Sequence, residues 1–278
     1  MTGASGFALG PALLFCPADR PERYAKAAER SDAVILDLED AVAASSKEDA
    51  RSALAASTLD PERTIVRVNP VSSADFALDI AAIAQTSYRY LMVPKAESSG
   101  QMQVLAASGA HFRVIALCES AAGVLASAEI AAEPNVVALM WGAEDLVVSL
   151  GGTASRFADG RYRPLAVHAR SQVLLAAGAN GKAAVDTVYF NIPDTAGLEV
   201  EASDARASGF VATACIHPSQ VAVIRAAYRP GDHEVAYARD VLAAAAGERG
   251  VFSFRGQMVD NPVLRNAEQT LRRAAPEE

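Results

Sequence analysis

The sequence predicts an α/β fold, a (β/α)8 TIM barrel followed by a short C-terminal helical and hairpin extension. Short apolar, β-branched runs alternate with alanine-rich amphipathic stretches along most of the chain, the pattern of repeated βα units around a parallel sheet. Within AVILDL and RVIALC, the stretches AVIL and VIALC are apolar throughout, as suits strands buried on both faces. The length of 278 residues suits one barrel with a tail. A doubly wound sheet usually carries a glycine-rich turn after its first strand, and FCPADRPER has none.

Eight strands are expected at 12–17, 33–37, 64–69, 90–94, 113–118, 136–140, 185–190 and 210–216. Helices fill the gaps near 21–29, 47–56, 74–85, 99–107, 121–131, 166–177, 199–208 and 219–228. The first opens on Pro21, where a missing N–H costs nothing, and the second follows a serine pair suited to capping it. An insertion, GGTASRFADGRYRP, interrupts the sixth βα connection and reads as a lid or an oligomer contact. Beyond Tyr228 come a turn (RPGD), a helix at 234–246, a loop or short hairpin (GERGVFSFRGQMVDNP) and a last helix at 262–273. The expected organisation is a barrel domain over 1–229 and an extension over 230–278 that contacts a neighbouring subunit. Val251, Phe252 and Phe254 would be awkward if exposed, so a homo-oligomer is expected, with a trimer suspected.

Composition narrows the function. With 51% hydrophobic and 21% charged residues the chain can bury a large core. A formal charge of -8 disfavours nucleic acid and anionic membrane surfaces, both of which select basic patches. An anionic small molecule needs only a local basic cluster and stays open. No apolar stretch reaches the roughly 18 to 20 residues that span a bilayer, and no basic start precedes an apolar run, so the cytoplasm is the expected compartment. Cys16, Cys118 and Cys215 each lie in an apolar run and read as small buried hydrophobes. Neither a CxxC nor an HxH pair occurs, which argues against a thiolate or histidine-rich zinc site.

A barrel of this kind builds its active site at the C-terminal ends of its strands, so polar residues that end an apolar run are the candidates. Strand two ends in Asp37, Glu39 and Asp40, strand three in Arg67 and Asn69, strand four in Lys95, strand five in Glu119, strand six in Glu144 and Asp145, and strand eight in His217. Carboxylates converging without histidine or thiolate suit a hard cation, Mg2+ or Mn2+. Glu119 and Asp145, from neighbouring strands, are the expected metal ligands. Asp37, Glu39 and Glu144 are expected behind them, holding metal waters or orienting Arg67. Arg67, inside IVRVN, must meet carboxylates or an anionic substrate, since an unpaired buried guanidinium is costly. Lys95 is also readable as the Schiff-base lysine of a metal-free aldolase, although its acidic surroundings do not suggest a lowered pKa. His217, before Pro218, reads as a cap of the next helix ahead of a substrate contact.

In their order and spacing, LFCPADRPERYAKA, VILDLEDAV, IVRVN, VPKAES, ALCESAAG, WGAEDL and CIHPSQ resemble the citrate lyase beta-subunit-like enzymes of the HpcH/HpaI aldolase family, nearly end to end. The tail GVFSFRGQMVDNPVLRNAE resembles the C-terminal segment of stand-alone members that act on coenzyme A esters. The resemblance implies Mg2+ held by Glu119 and Asp145, and an arginine, Arg67, that contacts the substrate and stabilises a thioester enolate. It also implies an acid or base at Asp260, often serving a neighbouring subunit's site, and phosphate contacts to coenzyme A from Arg20 and Lys26. CPADRP stands where the group commonly has a glycine-containing PGDRP, a departure near the coenzyme A segment that leaves the metal ligands untouched.

The reaction so implied is cleavage or formation of a carbon–carbon bond in a small 3-hydroxyacyl-CoA thioester, such as 3-hydroxy-3-methylglutaryl-, malyl- or citramalyl-CoA, giving acyl-CoA and a keto acid. The competing readings are a class II aldolase acting on free hydroxy-keto acids, and a catalytically silent scaffold barrel.

Overall fold

The computed structural model describes residues 7–248 and 250–274. The outer ends of the two expected segments, residues 1–6 and 275–278, and Arg249 in the tail loop lie outside the described residues. Contacts divide the chain into two compact units, one up to Ile224 and one from Arg225.

In the first unit, β1 (Ala12–Pro17), β2 (Ala33–Asp37), β3 (Thr64–Arg67), β4 (Tyr90–Val93), β5 (Arg113–Cys118), β6 (Val136–Trp141), β7 (Ala183–Asp186) and β8 (Ala212–Cys215) pair in sequence order as parallel neighbours. β8 returns to pair with β1, which closes an α/β TIM barrel. Alternate residues of each strand point inward, so Leu13, Ile35, Met92, Leu117, Met140 and Val185 belong to one interior cluster. Their neighbours in sequence, among them Val34, Leu36, Leu91 and Ala116, are buried as well. Burial on both faces is why these runs carry no polar alternation.

The outer layer comprises α1 (Tyr24–Arg30), α2 (Lys47–Ala55), α3 (Ala74–Ile83), α4 (Ser99–Ala107), α5 (Ala121–Ala132), α6 (Ala143–Ser149), α7 (Pro164–Ala179), α8 (Thr195–Ser208) and α9 (Pro218–Tyr228). Some local expectations need correction. Ser46 makes no side-chain cap, because a 3-10 turn at Ala44–Ser46 feeds the chain into α2. β7 starts at Ala183 and stops at Asp186, short of the expected 190. The alanines that begin it have little strand propensity of their own and are held there by barrel packing, while the aromatic stretch after it forms a loop. In that loop the Tyr189 hydroxyl donates to Asp194, which also caps α8 through the N–H of Gly197. β3 stops at Arg67 because the N–H of Asn69 turns to Asp79 instead of a neighbouring strand. The short helix α6 has no counterpart in the sequence reading. It places Glu144 and Asp145 in a first helical turn, beyond the end of β6.

The second unit holds α10 (Asp232–Ala245), an antiparallel hairpin of β9 (Phe252–Phe254) and β10 (Gln257–Val259), and α11 (Asn261–Ala274). Ala238, Val241, Val259 and Ala267 form its core, with Phe252 and Phe254 packed against it and Tyr237 edge-on to Phe254 at 5.9 Å. The two phenylalanines therefore find part of their cover within their own unit. Val251 and Met258 are exposed. No helix among the described residues is long and apolar enough to cross a membrane.

Candidate active site

A cleft of about 430 Å³ opens at the C-terminal ends of the strands. Asp37, Asp40, Arg67, Glu119, Glu144 and Asp145 supply its polar wall, and Phe15, Leu117, Met140, Val188, Phe190 and Ile216 an apolar one.

Arg67 ends β3 directly across from Asp37 at the end of β2, a pairing fixed by strand register. Its Nε donates to Asp37 Oδ1 at 2.7 Å and its Nη2 to Oδ2 at 2.6 Å, a bidentate fork. Nη1 lies 2.9 Å from Glu39 Oε2, an ion pair too far off-line to be a hydrogen bond. The guanidinium also sits 4.9 Å from the centre of the Phe15 ring. Asp37 in turn accepts the N–H groups of Glu39 and Ala41 at 2.9 and 3.3 Å. Burial alone would lower the pKa of Arg67, but the bonds and charge of Asp37, with Glu39 and Glu119 behind, hold it above its ordinary value. Burial pushes Glu39 up, against the charge of Arg67 and the bond from Lys95.

Lys95 follows β4 in a left-handed backbone conformation, φ 48°, which an L-residue adopts only when its surroundings enforce it. That turn aims the Lys95 N–H at Glu119 Oε1, 3.1 Å away, and the Nζ at Glu39 Oε1, 2.6 Å away. Burial would lower the ammonium pKa, yet Glu39 and Glu119 hold it above normal. A Schiff-base lysine needs the opposite shift.

Glu119 follows β5 and is 3% exposed. Burial first, then the charges of Asp145 and Glu39, push its carboxyl up to about 8, against the pull of Lys95 and Arg67. Asp145, half-buried on the first turn of α6, lines the same cleft. Neither carboxylate forms an ion pair among the described residues. Gly142 makes the approach of these two elements possible, since a Cβ there would stand 2.8 Å from Glu119 Cβ and 3.0 Å from its Oε2. The described residues hold no cluster of three His, Cys, Asp or Glu side chains arranged for a metal. A cation at this pair would keep water or substrate oxygens in its remaining positions, which suits Mg2+.

Glu144, beside Asp145, accepts a hydrogen bond from Ser155 in the insertion. Arg20 and Lys26 are exposed and lie outside the cleft wall, Arg20 with its Nε 3.8 Å from Asp19. Asp260 belongs to the second unit, where its Oδ1 accepts the N–H of Val263 and caps α11. The His217 ring engages Ser219 at the start of α9, through its hydroxyl at 2.7 Å and its N–H at 3.2 Å. Cys16, Cys118 and Cys215 are buried and outside any disulfide.

Sequence reasoning left out the part that holds the ends of β2 and β3 in place. Lys47 Nζ donates to the carbonyls of Leu38 and Glu39 and to Asn69 Oδ1 at 2.7, 3.1 and 2.6 Å. Asn69 in turn gives its N–H and its side-chain amide to Asp79, which also accepts from Arg51. The signal was a charged residue on the buried face of α3, Asp79, at 0% exposure. The sequence marks Asp40 at a strand end without a role, and Gly142, Ser155, Val188 and Phe190 are identified only by their contacts and their place in the cleft wall.

A family profile described as HpcH/HpaI aldolase/citrate lyase matches residues 12–218, and one described as C-C bond lyase of the TIM-barrel fold matches 164–276. The citrate lyase subunit beta-like protein of Mycobacterium tuberculosis is 57% identical over 267 residues, covering 96% of both chains. The (3S)-malyl-CoA thioesterase of Cereibacter sphaeroides is 34% identical over 275 residues, covering 94% of this chain and 93% of that protein. The crystal structure of CitE from Mycobacterium tuberculosis in complex with magnesium, acetoacetate and coenzyme A superposes with a TM-score of 0.91 at 56% identity, covering 96% of this chain and 98% of that one. The chain belongs to the HpcH/HpaI aldolase/citrate lyase family, a family of carbon–carbon lyases.

Proposed function

We propose that the chain is a Mg2+-dependent lyase that cleaves or forms the C2–C3 bond of a small 3-hydroxyacyl-CoA thioester, giving acyl-CoA and a keto acid. The observation that carries the reading is the buried Glu119 lining the same cleft as Asp145, neither of them in an ion pair among the described residues, beside an arginine already locked in place. Relatives named for malyl-CoA chemistry, and a CitE structure with magnesium, acetoacetate and coenzyme A, support both the cation and the thioester. Mg2+ bound at Glu119 and Asp145 would supply positive charge to the substrate oxygens and fix their orientation.

The chain's own residues do the rest. Arg67 is pre-aimed, because the Asp37 fork leaves it no rotameric freedom, and its charge favours the thioester enolate that receives the electron pair when C2–C3 breaks. The substrate hydroxyl must lose its proton as its carbon becomes the keto carbon, and the enolate must gain one at C2. Asp260 is the proposed group for these transfers, delivered from a neighbouring subunit of a homo-oligomer, a trimer in this reading. The apolar wall of Phe15, Leu117, Met140 and Val188 excludes water from the enolate. Arg20 and Lys26, exposed and cationic, are the proposed contacts for the coenzyme A phosphates.

The test is release of acyl-CoA from malyl-, citramalyl- and 3-hydroxy-3-methylglutaryl-CoA, each as separate stereoisomers, with and without Mg2+. Release that requires metal and is lost in Glu119→Gln and Asp145→Asn supports the reading. Turnover of free hydroxy-keto acids with none of the thioesters would overturn it.

A further inference from the structure

The insertion after α6 is held down rather than free to swing. Arg156 lies 3.7 Å from the centre of the Tyr162 ring and 5.1 Å from that of Tyr189, and pairs with Glu201 on α8. Tyr162 meets Trp141, the last residue of β6, edge-on at 5.3 Å. The N–H of Arg163 returns to the Ser155 carbonyl at 2.8 Å, closing the loop on itself. This fixes Ser155, 2% exposed, with its hydroxyl donating to Glu144 Oε1. Glu144 precedes Asp145 on the first turn of α6 and lines the cleft itself.

We infer that Ser155 is a positioning residue, whose hydroxyl tethers Glu144 to the insertion and keeps a third carboxylate out of the coordination shell of the cation. The inference rests on the proposed role of Glu119 and Asp145 as cation ligands. A six-coordinate ion with three carboxylates binds more tightly but has fewer positions for substrate oxygens. An untethered Glu144, one residue from Asp145 on the cleft wall, would supply that third ligand. The clamp of Arg156 on Glu201, remote from the cleft, thus contributes to turnover by holding the loop that holds Ser155.

The experiment measures Mn2+ binding by electron paramagnetic resonance together with steady-state kinetics on the full chain. Ser155→Ala is expected to bind Mn2+ about tenfold more tightly, the scale of one charge-assisted hydrogen bond, while KM rises and kcat falls. Ser155→Thr, which keeps the hydroxyl, should bind as the parent does. In a Glu144→Gln background, where no third carboxylate exists, Ser155→Ala should leave Mn2+ affinity unchanged. Binding in Ser155→Ala no tighter than in the parent, or an equal change in the Glu144→Gln background, overturns the tether. Mn2+ affinity that survives Glu119→Gln undiminished marks instead a failure of the underlying cation site, and with it of the inference.

Discussion

Replacing Arg67 by alanine tests the charge arrangement of the cleft most directly. The guanidinium makes two hydrogen bonds to Asp37, at 2.7 and 2.6 Å, and an ion pair of 2.9 Å to Glu39, whose side chains are 1% and 4% exposed. Removing one partner of a buried pair costs roughly 3–5 kcal/mol, because the other charge stays buried. The lower end applies here, since Asp37 keeps two backbone N–H donors and Glu39 keeps Lys95. About 3 kcal/mol corresponds to a fall in Tm of roughly 6–12 °C for a chain of this size. The sign with pH follows from proton binding. Burial already raises the carboxyl of Glu39 against the charge of Arg67, so without Arg67 Glu39 holds a proton that the unfolded chain has released, stability falls as pH rises, and the loss relative to the parent shrinks towards pH 5. Arg67→Lys keeps the charge but loses the fork, so it should recover much of the stability while kcat remains about a hundredfold down. Thermal unfolding in EDTA between pH 5 and 8, beside the acyl-CoA release assay, reads both effects. An alanine variant as stable as its parent at pH 7, or equally destabilised at every pH, would refute the reasoning.

Other residues give equally definite outcomes. Metal-free protein should lose stability as pH rises from about 4.5 to about 8, because Glu119, with its carboxyl near 8, keeps a proton that the unfolded chain releases; Mg2+ should flatten this slope in denaturant titrations. Gly142→Ala drives a Cβ to within 2.8 Å of Glu119 Cβ, so Mg2+ affinity measured by calorimetry should fall at least about tenfold. Asp79→Ala strands the buried N–H of Asn69 and takes one acceptor from its side-chain amide, while Arg51 keeps Asp75, and urea unfolding should show a loss of about 2 kcal/mol. Lys95→Gly and Lys95→Ala both lose the ammonium, but only alanine keeps the cost of φ 48°, so the glycine variant should unfold at the higher temperature, by about 1 kcal/mol in stability.

The barrel was legible because its strands are buried on both faces and therefore carry few charged residues until they end. That rule also exposed Asp37, Arg67 and Glu119, each at or just past a strand terminus. It failed where a strand is made of alanine, as at 183–184, since small residues that fill a barrel interior carry no strand signal of their own. It also missed α6, where Gly142 and Ala143 intervene between the end of β6 and two acids that ride the first turn of a helix instead of ending a strand. A count of charges at strand ends does not reveal that Lys95 lies left-handed, or that Ser155, ten residues beyond Asp145, returns to Glu144. Those are properties of loop closure, and a loop's backbone is set by partners distant in sequence.

The charges of the cleft sort into two sets with different consequences. Asp37 and Glu39 lie against Arg67 and Lys95, so four charged groups sum to zero and lock one another's rotamers. Glu119 and Asp145 remain outside this balance. The Lys95 contact to Glu119 is made by the backbone N–H, and the ammonium is already committed to Glu39. The protein therefore commits its two nearby cations to Asp37 and Glu39 and leaves Glu119 beside Asp145, and burial first, then the charges of Asp145 and Glu39, drive the carboxyl of Glu119 up to about 8. A second arginine beside Glu119 would relieve that repulsion but fill the space in which, in the proposed function, a divalent ion and substrate oxygens would meet. In the proposed function a divalent ion held by Glu119 and Asp145 would offset that repulsion and would keep coordination positions open for the substrate.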